Sequence, residues 1–348
     1  MNPGPIDWGT RLGERMRAAL RAGDAASARC LALEGDGRAR DLAREFGLMA
    51  HGLGFTIRVL LGQLIEADRE GERQAQAIRP GPPAGDSLTG ILARLLQGLQ
   101  GDAARAGVSA LGTSVTLAQA CLAALAQAQQ RFAADQTRRA DEILGALADG
   151  RLDAAIAMLD AKDQAWLALH DPMVRFMADS FGWVLREFGD QALVDFHLAT
   201  AEAQRAGFEK WERMPAREFA ATTAFLLGQH MGEVRVEEDE LRFTIRQSPC
   251  GSGGRLRLAG AYDGGQALPF VETPGPLTFG EPRMPVYCTH CAIWNGSATL
   301  RWFGRAQWVF ERPARADGAC TLHIYKRPED APAQYARRLA LPEGRETS

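Results

Sequence analysis

The spacing of hydrophobic positions changes once along the chain, near Glu233. From residue 8 to about residue 225, apolar residues recur every three or four positions among Ala, Leu, Arg, Glu and Gln, which is typical of amphipathic helices. After Glu233 the period shortens to two, and residues 241–246 alternate as a half-buried strand does. The pattern predicts an α+β fold, with a mostly helical N-terminal two thirds and a small antiparallel sheet in the C-terminal third.

The C-terminal third contains a short series of predicted elements around a glycine-rich turn. Two strands joined by an acidic turn lead directly to Cys250, and a tight turn of Gly, Ser, Gly and Gly follows with no helix signal after it. The later segments are a Gly/Pro-rich loop, a helix ended by Gly304 and a hairpin of two strands, at 259–286, 288–304, 307–312 and 320–326. Alternation in the last strand places Cys320, Leu322 and Ile324 on one face.

The helical region is interrupted at a few positions. A proline-rich run at 79–87 predicts a loop, and Asp171 with Pro172 predicts a helix start. Gly23 and Gly150 each separate two predicted helices, and each is followed by a Met-Ala helix with a Gly-aromatic pair, about 127 residues apart. Such self-similarity indicates either a duplicated helical unit or a chance match in an Ala/Leu-rich chain.

These features divide the chain into five predicted parts. The first part is a helical block, which is the candidate first copy of the repeat, and the second part is a helical connector. A second helical block, a small α/β metal-binding domain and a tail follow, so that the boundaries are 1–80, 88–140, 141–232, 233–330 and 331–348.

Composition narrows the class of partner. A net charge of −3 provides no global basic field for nucleic acid or acidic membranes. No apolar stretch approaches the ~20 residues that span a bilayer, and the N-terminus lacks the basic and apolar segments of a signal peptide. We therefore expect a cytoplasmic protein that binds a small-molecule ligand, not nucleic acid or membrane, and whose helices offer a homodimer surface.

The cysteines carry the strongest chemical signal. Cys288, His290 and Cys291 lie within four consecutive positions, and thiolate and imidazole ligands suit zinc or, alternatively, iron. With Cys250 from the strand side, these residues predict a metal site in which His290 is the fourth ligand and Cys320 competes for that position. Four ligands would close a structural site, whereas three would leave a position for water or substrate. In a reducing compartment, Cys30 and Cys121 are expected to be small buried apolar residues.

Other readings of the same residues remain open. Without a metal, Cys250 can act as a nucleophile with His290 as its base. Beside a metal, His290, with His170 or His230, is a candidate acid or base, although a packing role is the common one for each histidine. Three further residues are candidates to line a ligand pocket: Arg255, Tyr262 and Trp294. Arg255 would suit a carboxylate. Each of the three can instead have a purely structural role.

The order of these elements resembles the 4-vinyl-reductase-like small-molecule-binding domain and the L-2-amino-thiazoline-4-carboxylic acid hydrolase-like proteins. The matching segments cover mainly the C-terminal third, at 246–250, 287–296, 307–311 and 320–325. The resemblance implies a helical layer on a small sheet, a cysteine-bound zinc and an apolar ligand pocket between the two.

Three functions compete on this basis. The first is a metal-dependent hydrolase or lyase acting on a small organic molecule. The second is a non-catalytic 4-vinyl-reductase-like ligand-binding or accessory module with a structural zinc. The third is a scaffold in a biosynthetic pathway that uses its Ala-rich helices for docking.

Overall fold

The structure is a computed structural model that describes residues 8–33, 46–50, 52–54, 56–57, 108–265, 267–311, 313 and 318–341. Within these ranges the chain is mostly helical with a small antiparallel sheet, which confirms the predicted α+β class. The loop predicted at 79–87 lies outside the described residues, as does the side chain of Cys121. Among the helices that the structure describes, none is both long enough and apolar enough to cross a membrane.

The chain forms two compact units. One contains Thr10–Met177, and the other contains Ala178–Ser348 together with Met1–Gly9. The helical segment Leu152–Ala203, which is interrupted at Gly189 where φ is 83°, contributes residues to both. The predicted α/β segment 233–330 therefore lies in a unit that also includes helices from Ala178 onward.

The first unit is built from helices. It contains Leu12–Arg21, residues 25–33, Val108–Ala148 and the first part of Leu152–Ala203. Apolar residues at helical spacing form one core, which includes Met16, Leu20, Ala28, Ile143, Leu147, Ala155 and Leu159. A second cluster places the ring of Trp166 5.5 Å from that of Phe132 and 6.2 Å from that of Phe46. Burial of these stripes stabilises the helices against one another.

The two predicted glycine turns share one local geometry. Gly23 and Gly150 have positive φ angles of 74° and 72°. The amide of Asp24 donates to Ala19 O at 2.9 Å, and the amide of Arg151 donates to Ala146 O, also at 2.9 Å. This is the hydrogen bond that closes a helix end at a left-handed glycine. Both helix breaks are confirmed, whereas the duplication stays a prediction, because this turn is common at helix ends.

Two predictions in the helical region are wrong. The helix predicted to start at Asp171 instead runs continuously through Pro172. Trp166, His170 and Met173 are fully buried on that helix, and their packing outweighs the one backbone hydrogen bond that proline removes. Cys30 is exposed, because its helix buries Ala28 and Ala32 instead.

The second unit contains a four-stranded antiparallel sheet. We number its strands with those of a separate two-stranded sheet: β1 Val234–Glu238, β2 Arg242–Gln247, β3 Phe270–Val271, β4 Met284–Pro285, β5 Val309–Glu311 and β6 Cys320–Tyr325. The order β1-β2-β6-β5 confirms both predicted strand pairs. Helix Ala216–Gln229 packs Phe219 and Ala220 into the core that the sheet lines, where Cys320, Leu322 and Ile324 also lie as predicted.

Shorter helices complete this unit. Helices Thr289–Ala292 and Ala298–Phe303 flank a π-helical segment, Ile293–Ser297, and Gly304 ends the series at a φ of 75°. Helix Arg205–Glu212 precedes the sheet, and helix Ala333–Leu339 ends the described chain. Contrary to the sequence prediction, Gly253–Leu258 is also a helix. Its two glycines disfavour a helix, but burial of Gly253, Gly254 and Leu256 stabilises it.

Candidate functional site

Four cysteines of the C-terminal unit lie in one packed cluster. Strand β2 pairs its last residue, Gln247, with Cys320 at the start of β6, and Cys250 follows β2 by three residues. Cys288 lies at the turn into helix Thr289–Ala292, which carries Cys291. Cys250, Cys288, Cys291 and Cys320 all pack in the same core cluster.

The glycines beside Cys250 allow the backbone to approach its neighbours closely. A Cβ atom at Gly251 would lie 2.0 Å from the carbonyl oxygen of His230. A Cβ atom at Gly253 would lie 3.0 Å from the sulfur of Cys288. The distance at Gly251 is too short for any side chain, and a side chain at Gly253 would force the Cys288 sulfur to shift.

Cys250 is surrounded by hydrogen-bond donors. The S–H group of Cys320 and the backbone N–H groups of Ser252 and Gly254 donate to its sulfur, and Arg257 is close enough to add a favourable charge. The hydrogen bond from Cys320 is the largest of these effects, and together they outweigh burial and lower the pKa of Cys250 to about 5. Cys250 is therefore a thiolate at neutral pH, and it is only half-buried.

Arg257 is the cationic partner in this cluster. Its Nη1 lies 3.7 Å from the sulfur of Cys288, and its Nη2 lies 4.0 Å from that of Cys320. Burial acts to lower the pKa of Arg257, but charge interactions with Cys288 and Cys320 outweigh it and raise the pKa. In the part of the chain that the structure describes, its buried Nε–H has no hydrogen-bond partner. The guanidinium of Arg257 therefore acts on the cysteine cluster chiefly through its positive charge.

Arg257 was not among the residues selected from the sequence. Arg255, the arginine predicted to line a pocket, is half-buried on the same helix. Arg257 lies seven residues after Cys250 in the sequence. Because Gly253–Leu258 is a helix, its side chain reaches the cysteine cluster, and the glycine-rich sequence did not predict that helix.

His290 pairs with Cys291. Its Nδ1 hydrogen-bonds the carbonyl oxygen of Tyr287, and its Nε2 lies 3.5 Å from the sulfur of Cys291. Burial lowers the pKa of His290 to about 4, and burial together with the charges of Cys288 and Cys250 raises that of Cys291. The pair is therefore a neutral imidazole beside a neutral thiol.

The other candidate residues occupy different surroundings. His230 Nδ1 lies 3.3 Å from the hydroxyl of Ser252, next to Cys250. The hydroxyl of Tyr262 accepts the backbone N–H of Tyr287 at 3.3 Å. The ring of Trp294 lies 4.8 Å from that of His290, and its buried Nε1 has no partner among the described residues. His230 thus joins the Cys250 site, whereas Trp294 belongs with His290.

His170 belongs to the helical unit. Its fully buried ring hydrogen-bonds the carboxylate of Asp171 at 2.9 Å and packs 5.6 Å from Trp166. Sequence reasoning also missed His197, which is fully buried with Nε2 2.8 Å from the Thr289 hydroxyl. Burial, and then the charge of His290, lower the pKa of His197.

The cysteine cluster has the donor chemistry of a zinc site but not its geometry. Among the described residues, no group of three or more His, Cys, Asp or Glu side chains is arranged to hold a metal ion. The guanidinium of Arg257 already lies beside the sulfurs of Cys288 and Cys320, where it would repel a divalent cation. The residues do not fit zinc or iron while Arg257 holds this position, and the predicted metal stays a prediction.

Comparison of the chain with protein-family models, with curated proteins and with solved structures found no match. The resemblance to 4-vinyl-reductase-like and thiazoline-carboxylate hydrolase-like proteins therefore also stays a prediction.

Proposed function

We propose that the C-terminal unit is a cysteine-dependent hydrolase acting on a small organic molecule, with Cys250 as the nucleophile. The proposal is carried by the surroundings of Cys250: the thiol of Cys320, the backbone amides of Ser252 and Gly254 and the charge of Arg257 together lower its pKa to about 5 and favour the thiolate. A thiolate needs no separate base to become nucleophilic. Cys250 can therefore act without a histidine base, and His290 is instead paired with Cys291.

The reaction follows from the groups around the sulfur. The thiolate of Cys250 adds to an electrophilic carbon of a C=O or C=N group, and the electron pair of that double bond moves to its heteroatom. The positive charge of Arg257, which already favours the thiolate of Cys250, is the group we assign to stabilise that developing negative charge. The double bond then re-forms as the leaving group departs with the electron pair of its bond and takes a proton from water. Water then cleaves the covalent intermediate and releases the product with the sulfur free again.

The experiment uses p-nitrophenyl acetate as a small electrophile at pH 6, where ordinary thiols are mostly protonated. We expect release of p-nitrophenol and a transient acetyl thioester that peptide mass spectrometry locates on Cys250. Cys250→Ser should abolish both. Arg257→Gln should slow acylation by about 100-fold, as the loss of one oxyanion-stabilising group does in other enzymes. Cys30→Ser is the matched control and should leave the rate unchanged.

Acylation at other residues only, or an unchanged rate in Cys250→Ser, would contradict the proposal. Circular dichroism of each variant distinguishes a lost nucleophile from an unfolded protein.

A second candidate is a ligand-binding module with a structural zinc. The four cysteines supply the ligand type of a closed tetrahedral zinc site, but the described side chains are not arranged to hold an ion, so this function requires Arg257 and the sulfurs to move. Elemental analysis of the same purified protein tests it. One zinc or iron per chain, lost together with the fold in Cys288→Ser, would support this module and would count against the thiolate enzyme.

A further inference from the structure

The side chains of Cys250 and Cys320 are direct neighbours. The S–H group of Cys320 donates a hydrogen bond to the sulfur of Cys250. The sheet produces this contact, because Cys320 pairs with Gln247 at the end of strand β2 and Cys250 follows Gln247 by three residues. A disulfide is possible only between cysteines whose backbones lie near each other, and a hydrogen bond between their sulfurs requires the same nearness.

The other two cysteines of the cluster lie beside nitrogen atoms. The sulfur of Cys288 is 3.7 Å from Nη1 of Arg257, and the sulfur of Cys291 is 3.5 Å from Nε2 of His290. We therefore assign Cys320 as the sulfur partner of Cys250.

The two paired sulfurs differ in their access to solvent. Cys250 is half-buried, whereas Cys320 is only 2% exposed. A small dissolved oxidant can therefore reach Cys250 but not Cys320. Oxidation should begin at Cys250, and the buried thiol beside it needs no solvent access to react with the product.

We propose that Cys250 and Cys320 form a redox-active pair, which a small hydroperoxide such as hydrogen peroxide oxidises to a disulfide. The sulfur of Cys250 attacks one peroxide oxygen and becomes a sulfenic acid, while the O–O bond breaks and releases hydroxide. That hydroxide takes up the proton that Cys250 has lost. The sulfur of Cys320 then displaces the sulfenic hydroxyl group, which leaves as water with the proton of the Cys320 thiol. The two thiols lose two electrons, and one hydrogen peroxide is reduced to two molecules of water.

The disulfide would regulate the chemistry of the same site, because it occupies the sulfur that acts as the nucleophile. In this respect the inference rests on the proposed function. Formation of the disulfide does not depend on that function, because it requires no substrate and is detected in the protein itself.

The experiment treats the reduced full-length protein, freed of reductant, with stoichiometric hydrogen peroxide and blocks the remaining thiols with N-ethylmaleimide. We expect two blocked thiols fewer than in the untreated protein and a peptide that links Cys250 to Cys320. Cys288→Ser is the matched control within the cluster and should form the same link. Cys320→Ser should instead accumulate a sulfenic acid at Cys250, which dimedone traps.

Hydrolysis of p-nitrophenyl acetate by the same samples separates this inference from the proposed function. The rate should fall in proportion to the fraction of disulfide and recover after treatment with dithiothreitol, which is removed before the assay. A disulfide in a protein whose reduced form hydrolyses no ester would overturn the hydrolase alone. Ester hydrolysis by a protein that forms no disulfide would overturn the redox pair alone.

The peptide map of the peroxide-treated parent protein decides the outcome, whether or not Cys320→Ser folds. A disulfide between Cys250 and any other cysteine would overturn the proposal. Recovery of Cys250 only as a free thiol, or only as a sulfenic, sulfinic or sulfonic acid, would do the same.

Discussion

At the scale of single residues, the chemistry of this protein depends on which cysteine keeps its proton. Cys250 and Cys320 share one hydrogen bond, and the backbone amides beside Cys250 place the negative charge there. The pKa of Cys320 is correspondingly raised, first by its hydrogen bond to Cys250 and then by burial. The two sulfurs therefore differ in reactivity through their surroundings alone.

This difference predicts how alkylation depends on pH. The rate of iodoacetamide modification of Cys250 should rise as the pH increases through about 5, where its thiolate forms. Cys320→Ala removes the S–H donor and should shift the midpoint upward. Peptide mass spectrometry on samples quenched between pH 4 and pH 9 measures both, with exposed Cys30 as the reference in each sample. A midpoint that Cys320→Ala leaves unchanged would show that the hydrogen bond does not set the pKa.

At the scale of elements, left-handed glycines end three of the described helical segments. Gly23 and Gly150 end their helices through the same left-handed turn, and Gly304 ends the π-interrupted helical series in the same conformation. At Gly23 and Gly150, an added Cβ would meet nothing within 4 Å. The requirement for glycine at these two turns is therefore purely a backbone effect.

Gly23→Ala and Gly150→Ala should each destabilise the protein by about 1–2 kcal/mol, the cost of a left-handed alanine. The two losses should be similar, because the turns share their hydrogen bonds. Gly145→Ala is the matched control. It lies inside helix Val108–Ala148 with open space around its Cα, so alanine should stabilise it slightly. Urea denaturation of the three variants measures these differences, and a stabilising Gly150→Ala would contradict the turn geometry.

At the scale of the whole molecule, buried neutral histidines couple stability to pH. His197 and His290 both have pKa values lowered first by burial. The unfolded chain therefore binds protons at these positions more readily than the folded chain does. For His290, the folded and unfolded chains differ in proton binding between pH 6.5 and about 4. Folding stability from these groups is complete above pH 6.5 and decreases as the pH falls through that window.

The melting temperature should accordingly fall between pH 7 and pH 5, and His290→Asn should reduce the slope. Asparagine keeps a donor for the Tyr287 carbonyl but does not titrate. Scanning calorimetry at several pH values provides the measurement. His170→Asn, in the helical unit, serves as a comparison for loss of a buried ring. An equal slope in His290→Asn and the parent protein would rule out His290 as a source of the pH dependence.

Much of the fold was predictable because it depends on local periodicity. The hairpin at 233–247, the inward face of β6 and the glycine helix ends all follow from residue spacing and backbone preference. The helix Gly253–Leu258 and the continuous helix through Pro172 were not predictable in this way. In both, burial of neighbouring side chains overrides an unfavourable local sequence.

The sequence by itself determined that Cys250, Cys288, Cys291 and Cys320 flank the elements of one small α/β region, because strand and helix patterns surround each of them. Only the tertiary structure decided what these sulfurs contact. The helix after Cys250 directs Arg257 at Cys288 and Cys320, and the turn amides point at Cys250. Periodicity specifies which face of an element is apolar, but a thiol's protonation depends on charges and donors a few ångströms away, which only folding brings together.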